Sequence, residues 1–246
     1  MRALLAFFTV LPVTAPGSSL EDAARRVYLL PLVGLLAGLP GAGLLLLAFV
    51  APPGVAATLA LGAVLLAAGL HHTDGVMDVG DALMVRGSPA RRREVLKDTR
   101  IGAGAVGALF VVYAPPLAAL VALVEVSPVS AAAALLAGEA TARSAMLLLL
   151  VFGRPAEGGS SSVYFVRSLK EGRRRSVALV LALALPPLVA LPLGWFALLV
   201  ALAAPVTALF ALALSKRAFG GINGDVSGAT GELARAVLLV ALSASL

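Results

Sequence analysis

Apolar blocks long enough to cross a bilayer are the feature that most restricts how this chain can fold. A helix needs about 20 apolar residues to span the hydrocarbon core. Six blocks of that order cover residues 27–50, 51–70, 101–124, 128–152, 176–193 and 194–214. A block at 225–246, with a polar inner end, is a seventh candidate. The whole chain, 1–246, is therefore predicted to be a single all-α polytopic membrane domain with six to seven transmembrane helices.

Composition supports the membrane assignment. Hydrophobic residues make up 60% of the 246 residues and charged residues 13%, which is more apolar surface than a soluble domain of this length can bury. The apolar stretch 3–13 is followed by no cleavage-site pattern, so it does not resemble a signal peptide. It is too short to span, and we expect it to lie in the interface or to re-enter the bundle. Without cysteine the chain has neither disulfides nor thiolate metal ligands.

Basic residues divide the connections between blocks into two sets. They cluster before the first block and after the second, fourth and sixth, whereas the tight connections near Pro52, Pro128 and Pro192 carry none. By the positive-inside rule, the long loops of a plasma-membrane protein are then cytoplasmic, and the blocks pair into three hairpins. The net charge of +6 marks topology, so nucleic acid is not an expected partner. Both a monomer and a homo-oligomer stay open.

Two cytoplasmic segments have recognisable local patterns. Ser88 and Pro89 are typical of the first residues of a helix, and we expect Gly102 to lie just past the end of that helix. The second segment, Phe152–Ser176, has Gly-Gly-Ser-Ser-Ser at its centre, at 158–162, which predicts an ordered or flexible loop.

Three aspartates directly follow the second apolar block. Asp74, Asp78 and Asp81 are spaced i, i+4 and i+7, which places them within about 60° of each other on one helix face. Carboxylates that close repel each other unless a cation lies between them, and Mg²⁺ prefers oxygen ligands while keeping waters and substrate phosphates. A solvated helix end is the alternative, but such ends usually mix charges and no basic residue lies between 70 and 84. The sequence predicts a magnesium–phosphate site at the inner membrane rim.

Histidines and a charged pair flank this segment. In a continuous helix His71 would lie on the aspartate face and His72 nearly opposite, and an interfacial filler is the alternative role for both. Asp98 and Arg100 stand where the chain enters the third block. Arginine binds phosphate through two hydrogen bonds, and Asp98 would orient it or add an oxygen ligand, although part of this basic cluster is topological.

Two further groups of polar residues interrupt apolar sequence. Glu139 and Arg143 lie near the middle of the fourth block at i, i+4, where charges are costly; structural pairing and a substrate role are equally open. The glycine-rich segment 220–232 contains Asn223 and Asp225 beside a stripe of small residues, namely Gly224, Gly228 and Gly231. Such a stripe lets another helix or a ligand approach closely.

Taken together, these motifs resemble those of the cobalamin synthase family, the adenosylcobinamide-GDP ribazoletransferases. The resemblance runs over most of the chain. Its most specific blocks are His72-Thr73-Asp74-Gly75-x-x-Asp78-x-x-Asp81, Asp98-Thr99-Arg100-Ile101-Gly102 and Gly220-Gly221-x-Asn223-Gly224-Asp225. It implies an integral membrane enzyme that depends on Mg²⁺ and joins α-ribazole, or its 5'-phosphate, to adenosylcobinamide-GDP with GMP as leaving group.

Residue roles follow from combining the motifs with this chemistry. Asp74, Asp78 and Asp81 would hold Mg²⁺. Asp225 would take the hydroxyl proton, with His72 as the second catalytic candidate. The substrate-binding candidates are Asp98, Arg100, Arg143, Gly221, Asn223 and Gly224.

Three alternatives share part of this pattern. CDP-alcohol phosphotransferases have Ala-Arg after Asp-Gly, where this chain has Val76-Met77. Membrane prenyltransferases have two aspartate-rich motifs, whereas the segment around Asp225 has one aspartate and many glycines. An ion-coupled transporter would place acids near the bilayer midplane, and only Glu139 is that deep.

Overall fold

The computed structural model describes residues 1–14, 19–157 and 161–244, without the side chains of residues 197 and 198. These ranges are helical apart from one isolated parallel bridge between Pro155 and Ile222. The α-helices are α1 (Arg2–Phe8), α2 (Leu20–Ala24), α3 (Leu30–Leu45), α4 (Pro53–Ala67), α5 (His71–Met84), α6 (Pro89–Val95), α7 (Ala103–Val126), α8 (Pro128–Phe152), α9 (Ser162–Ser168), α10 (Gly172–Val189), α11 (Ala197–Phe219) and α12 (Gly224–Ser243). Short 3-10 helices cover Val27–Leu29, Leu46–Phe49 and Leu191–Phe196.

The fold contains three helical hairpins, and one helix of the second hairpin, α8, lies at the centre of the bundle. The hairpins are α3–α4, α7–α8 and α10–α11, and α8 packs against α3, α7, α10, α11 and α12. Burial differs sharply within the second hairpin: 83% of the apolar window of α8 is buried, against 22% for α7. Polar side chains on α8 therefore face protein, while much of α7 is left for lipid.

The predicted membrane fold is confirmed, with a difference in which helices span. Five helices are long and apolar enough to cross a bilayer: Val27–Phe49, Ala103–Val126, Pro128–Phe152, Leu199–Phe219 and Gly224–Ser243. The bent pair α4–α5 qualifies as a sixth, broken span. The predicted seventh span is thus among the clear ones. In contrast, α10 falls short because Arg173, Arg174 and Arg175 occupy its first turn.

A sharp break separates α4 from α5. Gly69 and Leu70 have φ values of +68° and +60°, a conformation that ends a right-handed helix, and α5 leaves at 91° to α4. The N–H of Val10 donates to the carbonyl of Ala67 at 2.9 Å, so the chain after α1 covers the exposed end of α4. The stretch 3–13 therefore packs against the bundle at the end of α4, and both of its expected positions stay predictions.

The cytoplasmic segments agree only in part with their sequence patterns. Ser88 Oγ accepts a hydrogen bond from the N–H of Arg91, and Pro89 is the first residue of α6, as predicted. The expected helix end was wrong, because α6 ends at Val95 and Gly102 instead precedes α7 as its N-cap. The loop predicted at 152–176 was wrong in part, because α9 and the first turn of α10 lie within it. Residues 158–160 of this segment lie outside the described residues.

Candidate active site

Close backbone contact brings the aspartate helix α5 against the first turn of α12. A Cβ atom on Gly75 would lie 2.7 Å from the carbonyl oxygen of Asp225 and 3.0 Å from its Cα. Only glycine allows this approach, since real Cβ atoms do not come so near to backbone. On the opposite side of α5, a Cβ on Gly80 or on Gly104 would lie 2.6 Å from the other residue's carbonyl oxygen. As a result α5 is held between α7 and α12, and the two acidic motifs meet at one rim.

The carboxylates at this rim lack a basic partner. Asp74 is exposed, Asp78 and Asp225 are half-buried, and Asp78 lies within electrostatic range of Asp74, Asp81 and Asp225. In the ranges that the structure describes, Asp74, Asp78 and Asp225 form no ion pair with Lys or Arg. We call these three side chains the rim carboxylates.

The rim carboxylates form an open site. No group of three acidic or histidine side chains in the described ranges is arranged to hold a metal ion by itself. Mg²⁺ typically uses one or two protein carboxylates and takes its other ligands from waters and phosphates. Two neighbouring, uncompensated carboxylates one helical turn apart, Asp74 and Asp78, fit that requirement.

Asp81 differs from the other two aspartates of α5. Its Oδ2 accepts a hydrogen bond from the N–H of Gly102 at 2.7 Å, and its Oδ1 accepts one from the N–H of Ala105 at 2.8 Å. These donors belong to the first turn of α7, where backbone N–H groups lack helical partners and a negative charge is favourable. The structure thus gives Asp81 a capping role that the sequence spacing alone did not indicate. Both of its carboxylate oxygens are engaged, so Asp74 and Asp78 are better placed to bind a metal ion, and ligation by Asp81 stays a prediction.

Asp98 orients Arg100 at the start of α7. Its two carboxylate oxygens accept hydrogen bonds from Nε at 3.0 Å and from Nη2 at 2.7 Å. These bonds and the backbone N–H of Arg100 lower the pKa of Asp98 to about 2, so the pair is charged at any physiological pH. The Arg100 side chain is 87% exposed and is free to turn toward a ligand.

The glycine-rich segment serves mainly to begin α12. Asn223 Oδ1 accepts a hydrogen bond from the N–H of Val226 at 2.9 Å, and its Nδ2 donates to Asp225 Oδ2 at 3.2 Å. Asn223 therefore caps the helix and fixes the Asp225 carboxylate. A Cβ on Gly221 would lie 2.6 Å from the carbonyl oxygen of Arg154, so Gly221 is buried against backbone and is not placed to bind substrate.

The predicted glycine stripe divides among three surroundings. Gly224 faces open space, a Cβ on Gly228 would lie 3.1 Å from the Cα of His72, and one on Gly231 would lie 2.8 Å from Sδ of Met146. Two of the three glycines thus serve helix packing, and Gly224 alone remains open to a ligand.

His72 lies behind α5. It is 7% exposed, packs against Gly228 and approaches Glu232, with 3.8 Å between Nδ1 and Oε1. This buried position gives no support to the predicted catalytic role of His72, which stays a prediction. His71 is exposed.

Arg143 belongs to a group of charges in the interior, which we call the buried ion cluster. Arg235 Nη1 donates to Glu139 Oε1 at 2.9 Å, and Arg143 Nη2 lies 3.9 Å from Glu139 Oε2. Arg235 also pairs with Glu232. All four side chains are at most 1% exposed. This burial favours structural pairing for Arg143, while its substrate-binding role stays a prediction.

The cluster is linked to α5 through α7. The guanidinium of Arg235 lies 5.9 Å from the centre of the Tyr113 ring, and the Tyr113 hydroxyl donates to Thr73 Oγ1 at 3.0 Å. Sequence reasoning missed Arg235, although an arginine inside an apolar span needs a partner and Glu139 was available.

Two cavities flank the start of α12. The larger, about 1150 Å³, lies among α5, α7, α11 and α12, is lined mainly by apolar side chains and reaches Asp98 and Arg100; we call it the apolar cleft. The smaller, about 490 Å³, lies between α6 and the first turn of α12 and is lined by Arg93, Lys97 and Asp225 among others; we call it the α6 cavity. The sequence assigned no site role to the basic residues of the α6 cavity.

Comparison with known proteins assigns the chain to a family. Residues 1–243 match the family described as "Cobalamin-5-phosphate synthase". The chain belongs to this family. Relatives named "Adenosylcobinamide-GDP ribazoletransferase" include a protein from Methanocella arvoryzae, 35% identical over 100% of this chain and 96% of the relative. One from Azorhizobium caulinodans is 37% identical over 97% and 92%, and one from Halorubrum lacusprofundi is 36% identical over 97% and 94%. No solved structure matches.

Membership of the cobalamin-5-phosphate synthase family confirms the resemblance found in the sequence. It places the chain with these enzymes rather than with CDP-alcohol phosphotransferases or prenyltransferases. The transporter interpretation loses its main residue, because Glu139 is fully buried and paired with Arg235 and Arg143.

Proposed function

We propose that this protein joins adenosylcobinamide-GDP to α-ribazole or α-ribazole 5'-phosphate and releases GMP, a late step of cobalamin biosynthesis. The relatives carry this activity in their name, and the family description names a 5-phosphate product, which favours the phosphorylated acceptor. The observation that carries the proposal is the close contact of α5 with α12 at Gly75, which sets the unpaired carboxylates Asp74 and Asp78 beside Asp225.

In the proposed reaction a ribose hydroxyl oxygen attacks the phosphorus attached to the corrinoid. The new O–P bond replaces the bond between that phosphorus and the oxygen of GMP, which leaves. Asp225 accepts the hydroxyl proton. It suits this role because Asn223 Nδ2 holds one carboxylate oxygen, Oδ2, so the other can face the acceptor.

Asp74 and Asp78 are the residues we assign to Mg²⁺. When bound, the ion neutralises charge on the diphosphate and on the departing GMP. The two carboxylates contribute by lying one turn apart on a helix whose position is fixed on both sides by glycine contacts.

The apolar cleft is the place we assign to the corrinoid donor. Its volume of about 1150 Å³ exceeds the roughly 300–1,000 Å³ that is usual for drug-sized ligands, and its apolar walls suit a large macrocycle. Arg100, oriented by Asp98 at the edge of the cleft, would hold a phosphate oxygen of the donor.

The active site would face the cytoplasm across the plasma membrane, because the Lys- and Arg-rich connections lie on its side of the bundle. A cysteine introduced at Ser161 can be labelled cleanly, since the chain has no cysteine of its own. We expect an impermeant thiol reagent to label Ser161→Cys only after the cells are opened. Labelling from outside intact cells would contradict this orientation.

The activity itself is tested with purified protein in detergent or nanodiscs, supplied with adenosylcobinamide-GDP and α-ribazole 5'-phosphate. We expect GMP release with formation of the joined corrinoid in Mg²⁺ and loss of both with excess EDTA. Folded protein that releases no GMP with either acceptor form would contradict the proposal.

A further inference from the structure

The α6 cavity places two basic side chains opposite Asp225. Arg93 and Lys97 lie on α6 and just after it, and Asn223 and Asp225 lie on the other side at the start of α12. Glu94 and Glu157 also line the cavity. The volume of about 490 Å³ falls within the range of small-molecule sites. The cavity therefore has room for a substituted phosphate beside the group that we assign as proton acceptor.

The two contacts of Arg93 at this cavity differ in strength. Arg93 is anchored, because its Nη1 donates to the carbonyl of Phe219 at 2.8 Å. Its other contact, from Nη2 to Glu157 Oε2 at 3.3 Å, involves a glutamate side chain that is 92% exposed. Exposed ion pairs contribute little stability, so an incoming anion can replace Glu157 at small cost.

Lys97 has no ion pair among the residues that the structure describes. Its acidic neighbour Glu94, which also lines the cavity, forms an exposed ion pair with Arg91 at 2.8 Å. The cavity thus contains one guanidinium that is hydrogen-bonded to backbone and one ammonium without an ion pair among the described residues. Proteins commonly use both groups to donate hydrogen bonds to phosphate.

We propose that the α6 cavity is a phosphate subsite in which Lys97 and Arg93 bind a phosphate group of one of the two substrates. This inference rests on the proposed function, which supplies two such groups: the 5'-phosphate of the acceptor and the guanosine diphosphate of the donor. Both offer the same chemistry, an anionic oxygen cluster next to the reacting atoms.

Steady-state kinetics of Lys97→Ala distinguishes the two sources. A subsite for the acceptor phosphate predicts that KM for α-ribazole 5'-phosphate rises about tenfold or more, while KM for unphosphorylated α-ribazole is unchanged. A subsite for the donor predicts the same rise in KM for adenosylcobinamide-GDP with either acceptor. Lys97→Arg should restore most of the loss in both cases, because the charge is kept. Lys170→Ala, an exposed lysine in the α9–α10 connection, is the matched control.

A binding measurement makes the inference independent of turnover. GMP and ribose 5-phosphate serve as probes, titrated against wild type, Lys97→Ala and Lys170→Ala. We expect Lys97→Ala to weaken at least one probe about tenfold, with Lys170→Ala equal to wild type. Equal binding of both probes by all three proteins, with unchanged KM values in any that turn over, would overturn the phosphate subsite. Absence of GMP release by wild type would instead overturn the proposed reaction.

Discussion

The two charged regions of this protein differ in how their charges are compensated. In the buried ion cluster, two arginines and two glutamates lie within one network and are at most 1% exposed. At the rim, Asp74, Asp78 and Asp225 lie together without a basic partner among the described residues. In the buried ion cluster the positive and negative charges balance, whereas the negative charges at the rim have no positive partner among the described residues.

This difference separates structural charges from functional ones. An ion in the apolar interior is tolerated only when it is paired, so the cluster joins α8 to α12 through the Arg235–Glu139 pair. Carboxylates at a rim can stay charged in contact with water, but their mutual repulsion persists until a cation or a ligand relieves it. Substitutions in the two regions should consequently fail in different assays.

The largest effects are expected for Asp78→Asn and Asp225→Asn. Each should lower turnover by about 10²–10⁴-fold, the usual contribution of a positioned proton acceptor or of a metal that neutralises transition-state charge. The apparent melting temperature should stay close to that of wild type, because neither side chain forms an ion pair. Glu125→Gln, which removes an exposed carboxylate at the opposite end of the bundle, is the control for general charge effects and should be fully active.

A loss of stability is expected for Arg235→Met in the buried ion cluster. Glu232 would stay buried without its partner and Glu139 would keep only Arg143, 3.9 Å away. This should cost about 3–5 kcal/mol, measured as a large drop in the melting temperature of purified protein. Arg173→Met, at the exposed first turn of α10, should melt like wild type. Unchanged stability in Arg235→Met would mean that the cluster is not the structural element described above.

A smaller effect is expected for Asp81→Asn. Asparagine can still accept one of the two hydrogen bonds from the start of α7, so we expect a loss of about 0.5–2 kcal/mol, as for other helix caps, and a fall in turnover of less than about tenfold. If Asp81→Asn were as inactive as Asp78→Asn at normal stability, Asp81 would belong with the metal ligands, as its spacing first indicated.

The smallest effect is expected for His72→Gln. Because His72 is buried behind α5, turnover should change only a few-fold, against the roughly 10²–10⁴-fold expected for a general base. The pH profile of kcat should keep its wild-type shape. A loss comparable to that of Asp225→Asn, with normal stability, would return His72 to the catalytic candidates.

Much of the fold could be predicted from sequence, because apolar blocks and basic loops depend on local composition. The break after α4 could not, since Leu70 adopts a positive φ that its side chain does not favour and that depends on packing around it. The sequence also did not predict that α10 falls short of a membrane span, because the arginines in its first turn were assigned to the preceding loop.

The sequence predicted which residues lie near the site better than it predicted the role of each one. Spacing alone placed Asp74, Asp78 and Asp81 on one face, but which of them faces α7 depends on where the start of that helix lies. The pairing of Glu139 with Arg235 and the position of Lys97 at the α6 cavity likewise depend on contacts between elements far apart in sequence. Charge at an unusual depth, as at Arg235, was the one missed signal that sequence did contain.

The most direct test of the account is a double-mutant cycle in turnover between Asp78 and Asp225. If α5 and α12 contribute to a single site, the two residues act as a unit and their effects should not multiply. We predict that Asp78→Asn/Asp225→Asn turns over within about threefold of the slower single variant. A double variant whose loss equals the product of the two single losses would contradict a shared site at the rim.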